Sequence, residues 1–217
     1  MVKKLLIIPV FHSEAEMGSV KHEMKGISEK TFGREKWERH RNNVKEFWEK
    51  VEASLEKRLN RVDISKVRIY QDGQVVDGYF GRKIVEEIAF AGSKNHQIIL
   101  GLVKKGAVLM KTESFELLKE EYAFIKRIIG AKKPQDASVA AAVYGKRKDS
   151  LLKERDRYIA KNIEKTLKNG EFGILFIGAT HNVESELPSS IKVEYLEDVK
   201  DISSELLEML KSAGIRI

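Results

Sequence analysis

The sequence predicts an α/β fold, a mostly parallel central sheet flanked by helices, and three observations carry that prediction. Short apolar runs at residues 5–10, 107–110 and 173–177 are bounded by charge or glycine and read as buried strands. Helical patterns separate most of these runs, the alternation expected when parallel strands are joined by crossovers. A long amphipathic helix follows the first strand. With 217 residues the chain can bury one sizeable core. The expectation is a single α/β domain over residues 1–217, with a helical subregion at about 113–148.

Taken in order, Met1-Val2-Lys3-Lys4 before Leu5-Leu6-Ile7-Ile8-Pro9-Val10-Phe11 imitates a signal peptide. Proline interrupts its apolar part and no small-residue cleavage site follows, so it reads as the first core strand. Trp37, Val44, Trp48, Val51, Leu55 and Leu59 recur at steps of three, four and seven, which predicts one amphipathic helix over 34–61. Residues 67–70 form a further strand and Asp72-Gly73 a turn. A helix over 82–90 ends at Gly92, and Asn95 caps another that runs to Gly106. After the strand at 107–110, Thr112 or Ser114 caps a helix bearing Leu118, Tyr122, Ile125 and Ile129. Pro134 and Asp136 open an alanine-rich helix over 137–144. Gly145-Lys146-Arg147-Lys148 is expected to break it before the next helix, 149–168, which stops at Asn169-Gly170. Strands at 173–177 and 191–195 complete the sheet.

The formal net charge is +7, but 40 Lys and Arg are interleaved with 33 Asp and Glu rather than gathered in a basic tail. Arg34, Lys36, Arg39, His40, Arg41 and Lys45 crowd the long helix and 146–148 form a second basic stretch. Interspersed glutamates and the lack of an aromatic-glycine signature favour a solvated helix over a nucleic-acid surface. A chain without cysteine has no disulfide and no thiolate metal site, so His and carboxylates are its strong metal ligands. No window reaches the roughly 18 to 20 apolar residues of a membrane span. The expectation is a cytoplasmic protein that makes no membrane contact, and high charge with few prolines suits a thermophile. No phosphate-binding glycine loop ending in Lys-Ser or Lys-Thr and no Gly-x-Ser-x-Gly elbow is present.

Chemistry-bearing residues gather at strand ends, where α/β proteins hold ligands. The run 173–177 stops at Gly178-Ala179-Thr180-His181. Glycine there allows a sharp turn or a close ligand approach, and it makes His181 a candidate ligand, acid or base, with Thr180 beside it for substrate. His12 stands in the same relation to the first strand, with Glu14 and Glu16 close behind. An imidazole can bind a metal through one nitrogen while a carboxylate orients the other, or act as a general base. Arg155 lies on the core-facing stripe of its helix at ~100° per residue and Asp156 on the stripe's other flank. A buried guanidinium must meet a carboxylate or an anionic group. Arg157 points away. Glu113 and Asp72 follow their strands and can join the same rim, although each also suits a helix start or a turn.

The helix sequence Glu154-Arg155-Asp156-Arg157-Tyr158-Ile159-Ala160, followed by a strand and Gly178-Ala179-Thr180-His181, resembles the C-terminal half of the TraB/PrgY, Tiki, ChaN and erythromycin-esterase-like superfamily. Members carry an earlier Gly-x-x-His at the end of the first strand; here Pro9-Val10-Phe11-His12 has proline in the glycine position. The resemblance implies an α/β fold whose histidines, arginine and acidic residues converge on one pocket. It also implies several reactions, since relatives include metal-dependent peptidases, esterases and haem-binding proteins.

The resulting expectation is a hydrolase-like protein with a His/carboxylate/Arg pocket that cleaves a peptide or ester bond of a small-molecule or peptide substrate, with or without a metal. The expected catalytic residues are His12, His181, Glu14 and Arg155. Arg155, Thr180 and Glu113 would bind substrate, and His12, His181 and Glu16 would hold a divalent ion of unspecified identity. The alternative is a non-enzymatic binding module for an anionic metabolite, a nucleic acid or a protein partner. A homodimer built on the long helix is the third expectation, set against that helix covering its own sheet.

Overall fold

The computed structural model of the chain describes residues 2–11 and 34–212. Its strands are β1 (Lys3–Val10), β2 (Val67–Gln71), β3 (Val108–Met110), β4 (Phe172–Gly178) and β5 (Ile191–Tyr195), in the spatial order β3-β2-β4-β1-β5. Every pairing is parallel. Among the described residues six α-helices accompany them: α1 (Arg34–Leu59), α2 (Gly78–Phe90), α3 (Lys94–Lys104), α4 (Phe115–Ile129), α5 (Pro134–Thr166) and α6 (Lys200–Ser212). None of these helices is long and apolar enough to cross a membrane.

The two sheet faces are covered by different helices. On one face Leu6, Ile8, Ile69, Ile174 and Phe176 pack under α1, α2, α3 and α6. On the other, Leu5, Ile7, Tyr70, Leu175 and Ile177 pack under α5 through Ile159, Ala160 and Ile163. Strands buried from both sides read as continuous apolar runs, which is why they were legible as strands. The chain leaves β1 and β2 toward the first face and leaves β3 toward the second. Their carboxyl ends therefore frame a crevice where the winding reverses, the place in an open parallel sheet where ligands bind.

Val44, Phe47, Trp48, Val51 and Leu55 of α1 are all buried, so the apolar stripe of this helix is spent on its own sheet. Trp48 Nε1 also donates to the Phe11 carbonyl at 3.3 Å, tying α1 to the end of β1. Two local expectations are corrected, the cap of α3 and the break at 145–148, and of the two caps expected for α4 one is found. Ser93, not Asn95, caps α3, its hydroxyl accepting from the His96 N–H, because Asn95 is buried with its amide donating to Gln71 at 3.0 Å. Ser114 is the cap of α4. The basic stretch 145–148 does not break the helix: α5 runs unbroken for 33 residues. Arg147 there donates to Glu120 of α4 and to Glu154 about two turns further along α5, and these bonds outweigh the local weakness of Gly145. α4 lies against the first half of α5, where the rings of Phe124 and Tyr144 sit 5.5 Å apart. Helix α6, with Ile202 and Leu206 buried one turn apart, is an element the sequence reading did not include.

Candidate functional site

Five ionisable side chains converge at the carboxyl ends of β2, β3 and β4, brought there from four parts of the chain. Asp72 follows β2 directly, and its N–H donates to the Phe176 carbonyl of β4 at 2.9 Å, extending the sheet by one bond. Glu113 follows β3. Its N–H and that of Thr112 both donate to the Gln74 carbonyl, at 3.0 and 2.8 Å, so the β2 and β3 loops are pinned to each other. Thr112 adds a second tie, its hydroxyl accepting from the Gln71 N–H at 3.0 Å. Arg155 and Asp156 come down from α5, and His181 follows β4.

Arg155 is 6% exposed and each of its three guanidinium nitrogens donates to a carboxylate. Nη2 bonds Glu113 Oε1 at 2.5 Å and Asp72 Oδ1 at 2.8 Å, Nε bonds the same Glu113 oxygen at 3.2 Å, and Nη1 bonds Glu121 of α4 at 2.6 Å. Burial works against the guanidinium's charge, but the bonds to Glu113 and the fields of Glu113, Asp72 and Glu121 outweigh it and push its pKa up. The sequence reading placed Arg155 on the buried stripe and required a partner for it; the partner is a set of three carboxylates.

His181 is fixed from the other side. Its side chain is 3% exposed, and Nδ1 lies 2.5 Å from Asp156 Oδ1. The second Asp156 oxygen accepts the Asn182 N–H at 3.0 Å. A carboxylate only accepts, so Nδ1 carries the hydrogen, and the neutral tautomer selected by this bond is the one with its lone pair on Nε2. That nitrogen lies 3.8 Å from Asp72 Oδ2, which also accepts the Gly178 N–H at 3.1 Å. Glycine at 178 leaves room for this carboxylate, since a Cβ there would stand 3.0 Å from Asp72 Oδ2 and the neighbour would have to give by a few tenths of an ångström.

Glu113 is the anomaly. It has no exposed surface, and its Oε2 has no hydrogen-bond partner among the described residues. A buried carboxylate oxygen left unpaired is costly. Burial pushes the carboxyl pKa up to about 7 in spite of Arg155. With Oε1 held by the guanidinium, the proton it keeps below that pH sits on Oε2. One ligand atom each from Asp72, Glu113 and His181 lies within 4.8 Å of the others. Metal–ligand bonds of about 2.1 Å keep ligand atoms within about 4.2 Å of one another, so binding an ion draws the three groups slightly together. The donors fit a divalent cation in other respects. They are two carboxylates and an imidazole, the ring is oriented by the Asp156 carboxylate behind it, and three carboxyl groups, those of Asp72, Glu113 and Glu121, share the single Arg155 guanidinium.

Of the residues expected from sequence, His181, Glu113 and Arg155 share this site, and Thr180 is half-buried in the loop beside it. His12, Glu14 and Glu16 lie outside the described residues. Asp72, expected either to join this rim or to serve a turn, stands in the cluster because it directly follows β2, the neighbour of β4. Asp156 was seen on the stripe's flank without a partner. Glu121 carried no signal at all, being one of several glutamates on a charged helix. Comparison of the chain with protein-family models, with curated proteins and with solved structures finds no match.

Proposed function

We propose that this chain is a hydrolase-like protein whose Asp72, Glu113 and His181 hold a divalent cation at the carboxyl edge of the sheet, for cleavage of an ester or peptide bond. The observation that carries the reading is the fully buried Glu113, which leaves one oxygen unpartnered among the described residues and stands with Asp72 and His181 so that one ligand atom of each lies within 4.8 Å of the others. Such a cation would supply a polarised carbonyl and a bound water of lowered pKa. The rest is the work of the chain's own residues. Asp156 keeps His181 in the tautomer with its lone pair on Nε2. Arg155 holds Glu113 and Asp72 side by side and leaves one oxygen of each uncommitted to it. Its donors are spent on carboxylates, so its role in this reading is to position ligands rather than to clamp substrate. In the reaction the water oxygen bonds to the carbonyl carbon, the bond from that carbon to oxygen or nitrogen breaks, and the leaving atom takes the water's proton. Likeness to the TraB/PrgY, Tiki, ChaN and erythromycin-esterase-like superfamily belongs to the same proposal, carried by Arg155, Asp156, Gly178 and His181.

The test is calorimetric titration of Zn²⁺ and Mn²⁺ into chelator-stripped protein that carries no histidine tag, followed by a screen of ester and peptide substrates. One ion is expected to bind per chain, and Glu113→Gln and His181→Ala are each expected to weaken it at least tenfold while remaining folded. Wild-type-like binding in both variants would sink the metal reading. Hydrolysis unchanged in both would sink the catalytic one.

A further inference from the structure

We infer that the apolar cavity beside His181 receives an aliphatic group of the substrate, making esters or amides of apolar acids the substrate class; this rests on the hydrolytic reading of the site. The cavity encloses about 380 Å³ over the carboxyl ends of β1, β4 and β5, within the size range of small-molecule pockets. Its walls are largely hydrocarbon, with Ile7, Ile177, Val183, Leu196, Val199 and Leu207 among them. His181 and Gly178 line it as well, so it opens onto the same residues that border the carboxylate cluster. Of the three proposed ligands His181 alone lines it, with a side chain 3% exposed, so a group seated in it lies on the His181 side of the cluster and is separated from Asp72 by Gly178 and His181.

The hydroxyls on its wall are already engaged. Ser203 donates its hydroxyl to the Val199 carbonyl at 2.7 Å and Ser204 to the Lys200 carbonyl at 3.0 Å, both at the start of the same helix. Tyr195 donates its hydroxyl to Glu184 at 2.5 Å. Lys200 and Glu197 stand at its solvent-exposed rim. A largely hydrocarbon wall whose hydroxyls are spent elsewhere offers a sugar little, and offers hydrocarbon a place out of water.

The test uses the full chain and separates the cavity from the metal. Titration with 1-butanol, 1-hexanol and 1-octanol, followed through the methyl signals of Val183 and Leu207, is expected to show saturable binding that tightens about fourfold per added methylene. Ser204→Trp, which places an indole at the wall from an exposed position, is expected to weaken 1-octanol at least tenfold and leave Zn²⁺ affinity within twofold. Glu113→Gln is expected to do the reverse. Zinc-loaded wild type should hydrolyse para-nitrophenyl octanoate with a kcat/KM at least tenfold above that for the acetate, a preference that Ser204→Trp removes. Zinc binding without saturable 1-octanol binding overturns the cavity assignment and spares the metal reading. Octanol binding without zinc binding overturns the hydrolytic reading and leaves a pocket for apolar ligands. Octanol binding that is indifferent to both Ser204→Trp and Leu207→Trp overturns the assignment of the site.

Discussion

Arg155 shows how one side chain organises a site. Neutralising it strips Asp72 and Glu121 of their guanidinium and lets burial push the Glu113 carboxyl still further up, so the folded state must strand a charge or take up a proton, the circumstance in which breaking a buried ion pair costs about 3 to 5 kcal/mol. Arg155→Met is therefore expected to destabilise the protein by roughly that amount in denaturant unfolding at pH 8. Adding Glu113→Gln should recover part of the loss, since an amide needs neither a buried charge nor the uptake of a proton; a double variant no more stable than the single one would contradict this account of Arg155. Asp156 acts on His181 in the same indirect way. In Asp156→Asn the amide group cannot accept from both the imidazole and the Asn182 N–H, so the ring loses its fixed tautomer or its fixed pose. Metal affinity by calorimetry should drop about ten- to a hundredfold with the fold retained. The legibility of these residues differed for physical reasons. Burial of Arg155 followed from the 3.6-residue period of a single helix. Its partners did not, because Asp72, Glu113 and Glu121 come from two strand ends and another helix, and only the sheet order β3-β2-β4 makes neighbours of the first two. His181 announced itself by standing after a glycine at a strand end. Gly178 proves to serve the approach of a carboxylate rather than a turn with positive φ.

Among the elements, the strands were the best read and the helix joints the worst. Residues buried on both faces of a parallel sheet leave an unbroken apolar run, which marks β1 and β4; β2 and the edge strand β5 show instead as short β-branched and aromatic runs with polar residues between, and all five strands were found within a residue or two of their ends. The break expected at 145–148 rested on local propensity, and tertiary bonds overrode it: Arg147 bridges Glu120 on α4 and Glu154 on α5. Gly145 is thus an ordinary mid-helix glycine with nothing within 4 Å of where a Cβ would stand. Gly145→Ala is expected to stabilise the protein by about 1 kcal/mol in chemical unfolding. A loss of stability there would mean that residue 145 bends or interrupts α5 after all. The consequence reaches the site, because the same continuous helix carries Arg155 and Asp156 from a hairpin with α4 down onto the sheet.

For the molecule as a whole, the crevice where the chain's winding reverses gathers acidity, and stability should record that. The Glu113 carboxyl is pushed up to about 7 by burial, above its value in the unfolded chain. Between roughly pH 4.5 and 7 the folded state thus holds a proton that the unfolded state has given up, and stability falls as pH rises through that window. For metal-free protein this one group accounts for up to about 3 kcal/mol. The fall should be absent in Glu113→Gln and reversed by saturating metal, which replaces the proton on Oε2. Urea unfolding at pH 5 and pH 8, with and without chelator, measures it; a metal-free wild type more stable at pH 8 than at pH 5, by a margin Glu113→Gln does not change, would contradict it. The most direct measurement of all is an anomalous-difference map from a crystal of tag-free protein soaked in Mn²⁺. The account predicts one strong peak within about 2.0 to 2.4 Å of Glu113 Oε2, His181 Nε2 and an Asp72 oxygen. A well-diffracting crystal with no peak among those three atoms, or with manganese bound only elsewhere, would contradict it.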